Sequence, residues 1–324
     1  MQFYAPPNWS WISITGPDAR DFLHRLTTVH VNALQPGQGS SGFFLTAQGK
    51  IRAYFTLWNY GPQDYAFEFD PGQTGEWKTH LLTAIDQYTF AEKFVLTDAK
   101  ELEARWLFPR PDLTPDLTKE SELTSLGLGT PLKPGETCAT DDEIRICHHG
   151  ERDFGRPWIS AWGRPARLAQ WLERTAPQAE AVDFATLEGW RIAAARPRLG
   201  AEIDENTIPL EAGLIDGISS DKGCYPGQEV IERIISLGSP ARRLVQLDGS
   251  GPTPAAGSTI FNLAEPPIEI GTLTSLHAEG GKFTALGYVR KIHAKEGLQV
   301  RFQNQVPGAP AATLRKVVPY APQE

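Results

Sequence analysis

Residues 220–233 decide how the chain is interpreted, and they read Ser220-Asp221-Lys222-Gly223-Cys224-Tyr225-Pro226-Gly227-Gln228-Glu229-Val230-Ile231-Glu232-Arg233. Gly223 and Gly227 lie on either side of Cys224, and glycine tolerates positive φ values and close approach by another backbone or a ligand. Pro226 fixes its own φ and biases Tyr225 toward an extended conformation. The pattern predicts a stiff turn that holds Cys224 in place and leads into an apolar segment.

Cys224 has two interpretations. A cysteine is a nucleophile, a redox centre or a metal ligand only as the thiolate, which nearby cations favour, and Lys222 is two residues away. The alternative is a small apolar residue buried in the core. The Lys, Gly, Tyr and Gln neighbours favour the reactive thiol over the buried one.

The run Lys-Gly-Cys-Tyr-Pro-Gly-Gln-Glu at 222–229, with Arg233 four residues later, resembles the signature of the YgfZ family. Members of that family bind folate, are related to aminomethyltransferases and support iron–sulfur enzymes. Residues 16–23 and 45–50 resemble the N-terminal part of the same fold. Matches at 208–211, 271–275 and 285–290 extend the resemblance over nearly the whole chain.

Periodicity predicts an α+β fold with a C-terminal small all-β barrel. Apolar residues at Ala19, Phe22, Leu23 and Leu26 predict an amphipathic helix, and a second helix covers Trp77 to Tyr88. Strands are predicted at 11–14, 42–47, 51–58, 64–69, 94–97, 102–108 and 144–147, which gives a sheet with helices on one side. Beyond residue 240, short strands separated by Gly-rich and Pro-rich turns predict the barrel.

The resemblance implies two domains. Residues 1–240 form an aminomethyltransferase-like, folate-binding body of two α+β subdomains, and residues 241–324 form the barrel. Residues 109–136 hold five prolines and little periodicity, so an irregular connection is expected there.

Composition excludes several classes of protein. A net charge of −8 without a basic tract disfavours direct binding to nucleic acid. No apolar run approaches the length that spans a bilayer, and the N-terminus lacks the basic region of a signal peptide. Three cysteines do not make a disulfide framework, so we expect a soluble cytoplasmic protein with reduced thiols.

A metal site is not predicted. Cys147, His148 and His149 are consecutive, but neighbouring residues of a strand point to opposite faces. Ligands at zinc-like spacing do not accompany them. An exposed histidine pair at the end of a strand is the expected alternative, and the roles of Cys138 and of these three residues stay open.

The family resemblance assigns candidate site residues. It implies that Cys224 and Lys222 carry the chemistry, and that the folate contacts are Trp9, Trp190, Glu211, Tyr225, Gln228, Glu229 and Arg233. Trp9 lies seven residues before Gly16, as in the family. Core filling by the two tryptophans, and capping of a helix by the Gln and Glu, are the alternatives.

Three functions follow from these expectations. The first is a tetrahydrofolate-binding accessory factor for the assembly or repair of iron–sulfur clusters, including those of tRNA-modifying enzymes, with iron–sulfur enzymes or assembly proteins as partners. A transient cluster would be shared with a partner, because one cysteine cannot hold it alone. The second is a tetrahydrofolate-dependent one-carbon transferase, and the third is a non-catalytic folate sensor or adaptor.

Overall fold

The computed structural model describes residues 1–69, 76–108, 132–302 and 311–321, with only the backbone of Leu237. The chain divides into two compact units: Met1–Phe44, Arg52–Phe184 and Gly217–Tyr225 form the first, and Leu45–Ile51, Ala185–Asp216 and Pro226–Glu324 form the second. The expected division at residue 240 stays a prediction. Most of the expected 109–136 connection lies outside the described residues.

Five α-helices and seventeen β-strands are described. In chain order they are β1 (Gln2–Tyr4), β2 (Ser10–Thr15), α1 (Ala19–Leu26), β3 (Gly39–Leu45), β4 (Ile51–Gly61), β5 (Asp64–Phe69), α2 (Glu76–Tyr88), β6 (Val95–Asp98), β7 (Glu103–Phe108), β8 (Thr137–Ala139), β9 (Arg145–Gly150), β10 (Trp158–Gly163), α3 (Pro165–Thr175), β11 (Glu180–Ala181), α4 (Phe184–Ala193), α5 (Gln228–Leu237), β12 (Arg242–Ser250), β13 (Thr259–Phe261), β14 (Glu269–Glu279), β15 (Lys282–Arg290), β16 (Gln299–Phe302) and β17 (Ala312–Val317).

The first unit contains a five-stranded sheet in the order β3-β4-β5-β2-β6. One face packs on α1 and α2, because the residues predicted to face the core, Ala19, Phe22, Leu23 and Leu26, are buried against the apolar strand residues. Ala53, Phe55 and Leu57 alternate along β4 and belong to this core. The predicted helices on one side of the sheet are therefore confirmed.

The first unit also contains a six-stranded sheet in the order β11-β1-β7-β10-β9-β8. The N-terminal strand β1 pairs with both β7 and β11, which are about 100 and 180 residues away in the sequence. Strand β7 therefore belongs to this sheet, although the strand before it in the chain, β6, belongs to the five-stranded sheet. Strands of two or three residues carry too little periodicity to be recognised, so this sheet was only partly predicted.

The second unit contains the predicted barrel, which is closed in the order β12-β15-β14-β13-β16-β17. Its interior is filled by aliphatic and aromatic side chains from every strand, among them Leu247, Leu273, Phe283 and Phe302. Helices α4 and α5 precede it in the chain. Within the described ranges, no helix has the length and hydropathy needed to cross a membrane.

Candidate functional site

Residues 217–225 form the cysteine loop, which belongs to the first unit. The loop is tied to the segment that follows α1, because the Thr28 hydroxyl donates to the Gly217 carbonyl at 2.5 Å. The Ser219 N–H donates to the Thr28 carbonyl at 3.1 Å, and His30 Nδ1 lies 3.4 Å from an Asp221 oxygen. These contacts give the loop a defined path at the surface.

Lys222 anchors the cysteine loop to the C-terminal end of α1. Its ammonium donates to the carbonyl oxygens of His24 and Thr27, and the residue is 7% exposed. Terminal carbonyls of a helix lack partners and carry the negative end of the helix dipole, so a cation is favourable there. Burial lowers the pKa of Lys222 to about 8, with Cys224 opposing this shift. Lys222 holds the loop in place, and its role in chemistry stays a prediction.

Cys224 is exposed to solvent, so the alternative of a buried apolar cysteine is wrong. Tyr225, the next residue, is buried, and the Lys222 ammonium lies 5.1 Å from the centre of its ring. The loop therefore has buried side chains on both sides of an accessible thiol. Such an arrangement suits a thiol that meets a partner or a small molecule.

We expect a single reactive thiol in the folded protein. Burial raises the pKa of Cys138 to about 11 and raises that of Cys147 well above its usual value, which suppresses both thiolates. Titration with a disulfide reagent at pH 8 should detect one fast thiol in the native state and three in urea. The Cys224→Ser variant should lose the fast thiol, and two or more fast thiols in the wild type would contradict this assignment.

Gly227 begins α5 in the second unit, in a conformation that other residues adopt only with strain. Its φ is 83°, and a Cβ at this position would lie 2.5 Å from the Thr46 carbonyl oxygen and 2.9 Å from Gly49 Cα. The close approach of backbone that the sequence predicted is therefore confirmed at Gly227. At Gly223, a Cβ would meet no described atom within 4 Å.

The Gly227→Ala variant should lower the free energy of unfolding by about 2 kcal/mol, because it combines a left-handed φ with a clash against backbone. The matched Gly223→Ala variant should change it by less than about 0.5 kcal/mol. Urea unfolding followed by tryptophan fluorescence measures both. Equal stability of the two variants would show that the contact between residue 227 and Thr46 is not tight.

The face of the five-stranded sheet that does not pack on the helices carries polar and aromatic side chains. Residues alternate between the two faces of a strand, so Phe43 on β3 and Tyr54, Thr56 and Trp58 on β4 share this face. Glu68 of β5 is paired directly with Thr56. The rings of Phe43 and Tyr54 are stacked, with centroids 4.9 Å apart and an interplanar angle of 16°. We call this the polar face.

A buried carboxylate organises one end of the polar face. Glu68 accepts a hydrogen bond from Trp58 Nε1 at 2.8 Å and one from Trp9 Nε1 at 3.2 Å. His149 Nε2 lies 3.5 Å from Glu68 Oε2 and 2.9 Å from the Ser160 hydroxyl. Burial alone would raise the pKa of Glu68, but His149 and the hydrogen-bond donors outweigh it and hold the pKa below its usual value. Trp9 thus contacts a carboxylate at the end of this face, and its contact with folate stays a prediction.

A loop cation reaches the middle of the polar face. Arg152 follows β9, and its guanidinium donates to the hydroxyls of Ser41 and Thr56. Ser41 and Phe43 are two residues apart on β3, as Tyr54 and Thr56 are on β4. A cation, two hydroxyls and two stacked rings therefore lie together, between the buried carboxylate and the start of the cysteine loop. Phe43 also approaches that loop, because its ring lies 2.4 Å from where a Cβ of Gly217 would be.

The other predicted site residues lie in the second unit. Trp190 is half-buried on α4, and Glu211 is paired with Arg242 at 2.9 Å. On α5, Gln228 donates to Glu232, and Glu229 pairs with Arg233 at 2.7 Å with both side chains exposed. The N-cap is Gly227, without a side-chain cap, so the alternative that Gln228 or Glu229 caps the helix is wrong. The folate contacts assigned to these residues stay predictions.

His148 and His149 correct one expectation. Both are buried, at 5% and 9% exposed, because β9 continues to Gly150 between β10 and β8 instead of ending at Cys147. His148 Nδ1 contacts the Leu132 carbonyl at 2.9 Å, and the ring of His149 stacks on Trp158 at 3.9 Å. The predicted exposed pair is wrong. Over the described residues, no group of three His, Cys, Asp or Glu side chains could hold a metal ion.

Sequence reasoning missed Glu68, Arg152, Ser41 and Thr56. Glu68 sits in an ordinary alternating strand, and the alternation places it on the face opposite the core residues Tyr65 and Phe67, where a glutamate is expected to meet solvent. Arg152 lies in a turn without periodicity. Their partners come from strands distant in the sequence, so residue spacing could not have brought them together.

The chain was compared with known proteins. It is 25% identical over 302 residues to a putative chloroplastic transferase of Arabidopsis thaliana, covering 92% of this chain and 67% of that protein. It is 24% identical over 296 residues to the mitochondrial iron–sulfur cluster assembly factor IBA57 of Mus musculus, covering 85% of this chain and 72% of that protein. It is 26% identical over 302 residues to the tRNA-modifying protein YgfZ of Vibrio vulnificus, covering 86% of this chain and 81% of that protein. No family model matches.

Among solved structures, the chain matches aminomethyltransferase T of the glycine cleavage system from Bartonella henselae. The TM-score is 0.80 at 20% identity, over 98% of this chain and 86% of that one. This match confirms the aminomethyltransferase fold. Together with the relatives, it confirms the resemblance to the YgfZ proteins first seen at residues 222–229.

Proposed function

We propose that this relative of the YgfZ proteins binds a folate and supports the assembly or repair of iron–sulfur clusters, with Cys224 as its functional thiol. The observation that carries the proposal is an exposed Cys224 beside a buried, hydrogen-bonded Lys222. A mouse relative is named an iron–sulfur cluster assembly factor, and a Vibrio relative is named a tRNA-modifying protein. Both names fit a factor that serves iron–sulfur enzymes, including tRNA-modifying ones.

The thiol supplies the chemistry of this proposal. Cluster iron is held by thiolates, and one cysteine leaves the remaining iron sites to other ligands. Cys224 therefore shares a transient cluster with a partner protein or a small thiol. The net charge of −8 suits partners that are proteins rather than nucleic acids, and free thiols suit the cytoplasm.

The polar face supports binding of folate in the first unit. A pterin with its benzoyl group is flat and aromatic, and binding sites for such molecules combine aromatic walls with a few placed polar groups. Tyr54, which is half-buried and stacked on the fully buried Phe43, offers an aromatic ring, and the partly exposed Arg152 offers a polar group. Tetrahydrofolate is the form that we propose.

Complementation tests the function. In cells lacking their YgfZ relative, the wild-type chain should restore iron–sulfur enzyme activity and Cys224→Ala should not. The matched Cys138→Ala variant should restore it, because that thiol is half-buried and unreactive. Since Cys224 is exposed, Cys224→Ala should unfold at the same urea concentration as the wild type. Full restoration by Cys224→Ala would remove the thiol role and favour a folate sensor or adaptor.

The fold favours a second candidate, a tetrahydrofolate-dependent one-carbon transferase. In the related enzymes, the family resemblance places the working acid as an aspartate in the N-terminal sheet. Strand β4 carries neither Asp nor Glu, and of the two carboxylates on the neighbouring strand β5, Asp64 is exposed at its first residue while Glu68 is held by two indoles. Incubation with tetrahydrofolate and an aminomethyl thioether, whose carbon is already at the oxidation level of formaldehyde, should give no 5,10-methylenetetrahydrofolate, ammonia and free thiol above background, and their formation would favour the transferase.

A further inference from the structure

We propose that Thr28 is a positioning residue for Cys224, because its buried hydroxyl fastens the start of the cysteine loop. This inference rests on the proposed function, in which Cys224 is the functional thiol. It adds a residue that lies far outside the 222–229 motif. Thr28 acts through the backbone that carries the thiol rather than on the thiol itself.

Thr28 joins the cysteine loop to strand β3. Its side chain is fully buried, and its hydroxyl donates to the Gly217 carbonyl at 2.5 Å while it accepts from the Phe43 N–H at 2.9 Å. Its backbone carbonyl accepts from the Ser219 N–H at 3.1 Å, and its N–H donates to the Phe43 carbonyl at 3.0 Å. One residue therefore bonds twice to the loop and twice to β3, so the start of the loop is fixed on the five-stranded sheet.

A second attachment of the loop meets the same segment. The Lys222 ammonium donates to the carbonyl oxygens of His24 and Thr27, and Thr27 directly precedes Thr28. The loop is thus bonded, at its start and just before the thiol, to the end of α1 and the turn that follows it. Two attachments to one short segment restrict how the loop can move within the first unit.

The thiol lies where these attachments end. Gly223 and Cys224 are exposed, and the next residue, Tyr225, is buried. A Cβ on Gly223 would meet no described atom within 4 Å, so side-chain packing does not fix this stretch. Its position is set by the attachments before it and by Tyr225 after it. Loss of the Thr28 attachment should therefore change how the thiol is presented to a partner.

Valine removes the hydroxyl of Thr28 and keeps the shape of the side chain. In Thr28→Val, the Gly217 carbonyl and the Phe43 N–H lose this partner inside the protein, which is unfavourable for both groups. Thr28→Ser keeps the hydroxyl. Thr137→Val is the matched control, because Thr137 is buried in the same unit and its hydroxyl donates to the Ile146 carbonyl at 2.9 Å.

Amide hydrogen exchange tests the attachment in the purified protein. Residues 217–222 should exchange at least about tenfold faster in Thr28→Val than in the wild type, and at the wild-type rate in Thr28→Ser and Thr137→Val. Unchanged exchange in a folded Thr28→Val would overturn the proposal. If that variant does not fold, the wild type decides: its Ser219 amide should exchange more slowly than the amide of the exposed Gly223, and equal rates would overturn the proposal.

Complementation tests the effect on the thiol. At equal protein levels, Thr28→Val should restore about tenfold less iron–sulfur enzyme activity than Thr137→Val, since a displaced reacting group can cost about 100-fold. Thr28→Ser should restore the wild-type level. Full restoration by Thr28→Val while Cys224→Ala fails would overturn the positioning role and leave the proposed function intact. Full restoration by Cys224→Ala would overturn the thiol role in the proposed function, and the positioning role with it.

Discussion

Replacing Glu68 by alanine is expected to lower the free energy of unfolding by about 3–5 kcal/mol, because each buried donor that loses its acceptor costs about 1–3 kcal/mol. The carboxylate is 5% exposed and accepts hydrogen bonds from Trp9 and Trp58. Its loss leaves two indole N–H groups and His149 without this acceptor inside the protein. Typical domains are stable by about 5–15 kcal/mol, so the variant should unfold at a much lower urea concentration.

The matched control is Glu103→Ala, which removes a glutamate that is 49% exposed and paired with Arg105. Exposed pairs contribute about 0–1 kcal/mol, so this variant should unfold close to the wild type. Unfolding of Glu68→Ala at the wild-type urea concentration would mean that the indoles and His149 find other acceptors.

The lowered pKa of Glu68 also predicts how the free energy of unfolding changes with pH. Its pKa in the folded state lies below its ordinary value of 4.5, so the folded protein binds this proton less readily than the unfolded chain. The stabilisation is fully present above pH 4.5 and is lost as the pH falls through the folded-state pKa. Acid unfolding of the wild type and Glu68→Gln should therefore converge at low pH, and a constant difference between them would contradict the assignment.

The second large effect is expected at Glu202 in the second unit. This carboxylate accepts hydrogen bonds from Arg191 Nη1 at 2.7 Å, the Ser275 hydroxyl at 2.5 Å and the Thr274 hydroxyl at 2.8 Å. Arg191 is 3% exposed and joins α4 to β14 of the barrel through these groups. Glu202→Ala should lower the free energy of unfolding by about 3 kcal/mol, because Arg191 loses one of the two acidic partners that the described residues give it and keeps Glu188.

Glu229→Ala is the control for Glu202→Ala. It removes an i,i+4 pair whose side chains are 84% and 64% exposed, for which about 0.3–0.5 kcal/mol is expected. Urea unfolding followed by tryptophan fluorescence measures both variants. If Glu202→Ala were no less stable than Glu229→Ala, the Arg191 network would not join α4 to the barrel.

Local patterns predicted the parts of the fold that depend on local structure. The spacing of Ala19, Phe22, Leu23 and Leu26 predicted α1 and its buried face, because a helix places these residues on one side. Short strands between Gly-rich and Pro-rich turns predicted the barrel but not all six of its strands. The six-stranded sheet was predicted only in part, because β1 and β11 have three and two residues and pair across most of the first unit.

Within the candidate site, the sequence predicted the part that is a contiguous motif and not the contacts between distant residues. Residues 222–229 identified the cysteine loop, and the exposure of Cys224 agrees with that reading. The contact of Lys222 with His24 and Thr27 joins residues nearly 200 positions apart, so its structural role could not be seen. The contacts of Glu68 and Arg152 likewise could not be predicted from the sequence, because they join the five-stranded sheet to residues on or just after β9 of the six-stranded sheet.

A crystal structure of the protein grown with tetrahydrofolate would show whether this chain binds a folate and where. We expect density for the folate in the first unit, along the polar face beside Tyr54. Density for the folate away from this face, or none at a saturating concentration of ligand, would contradict this expectation.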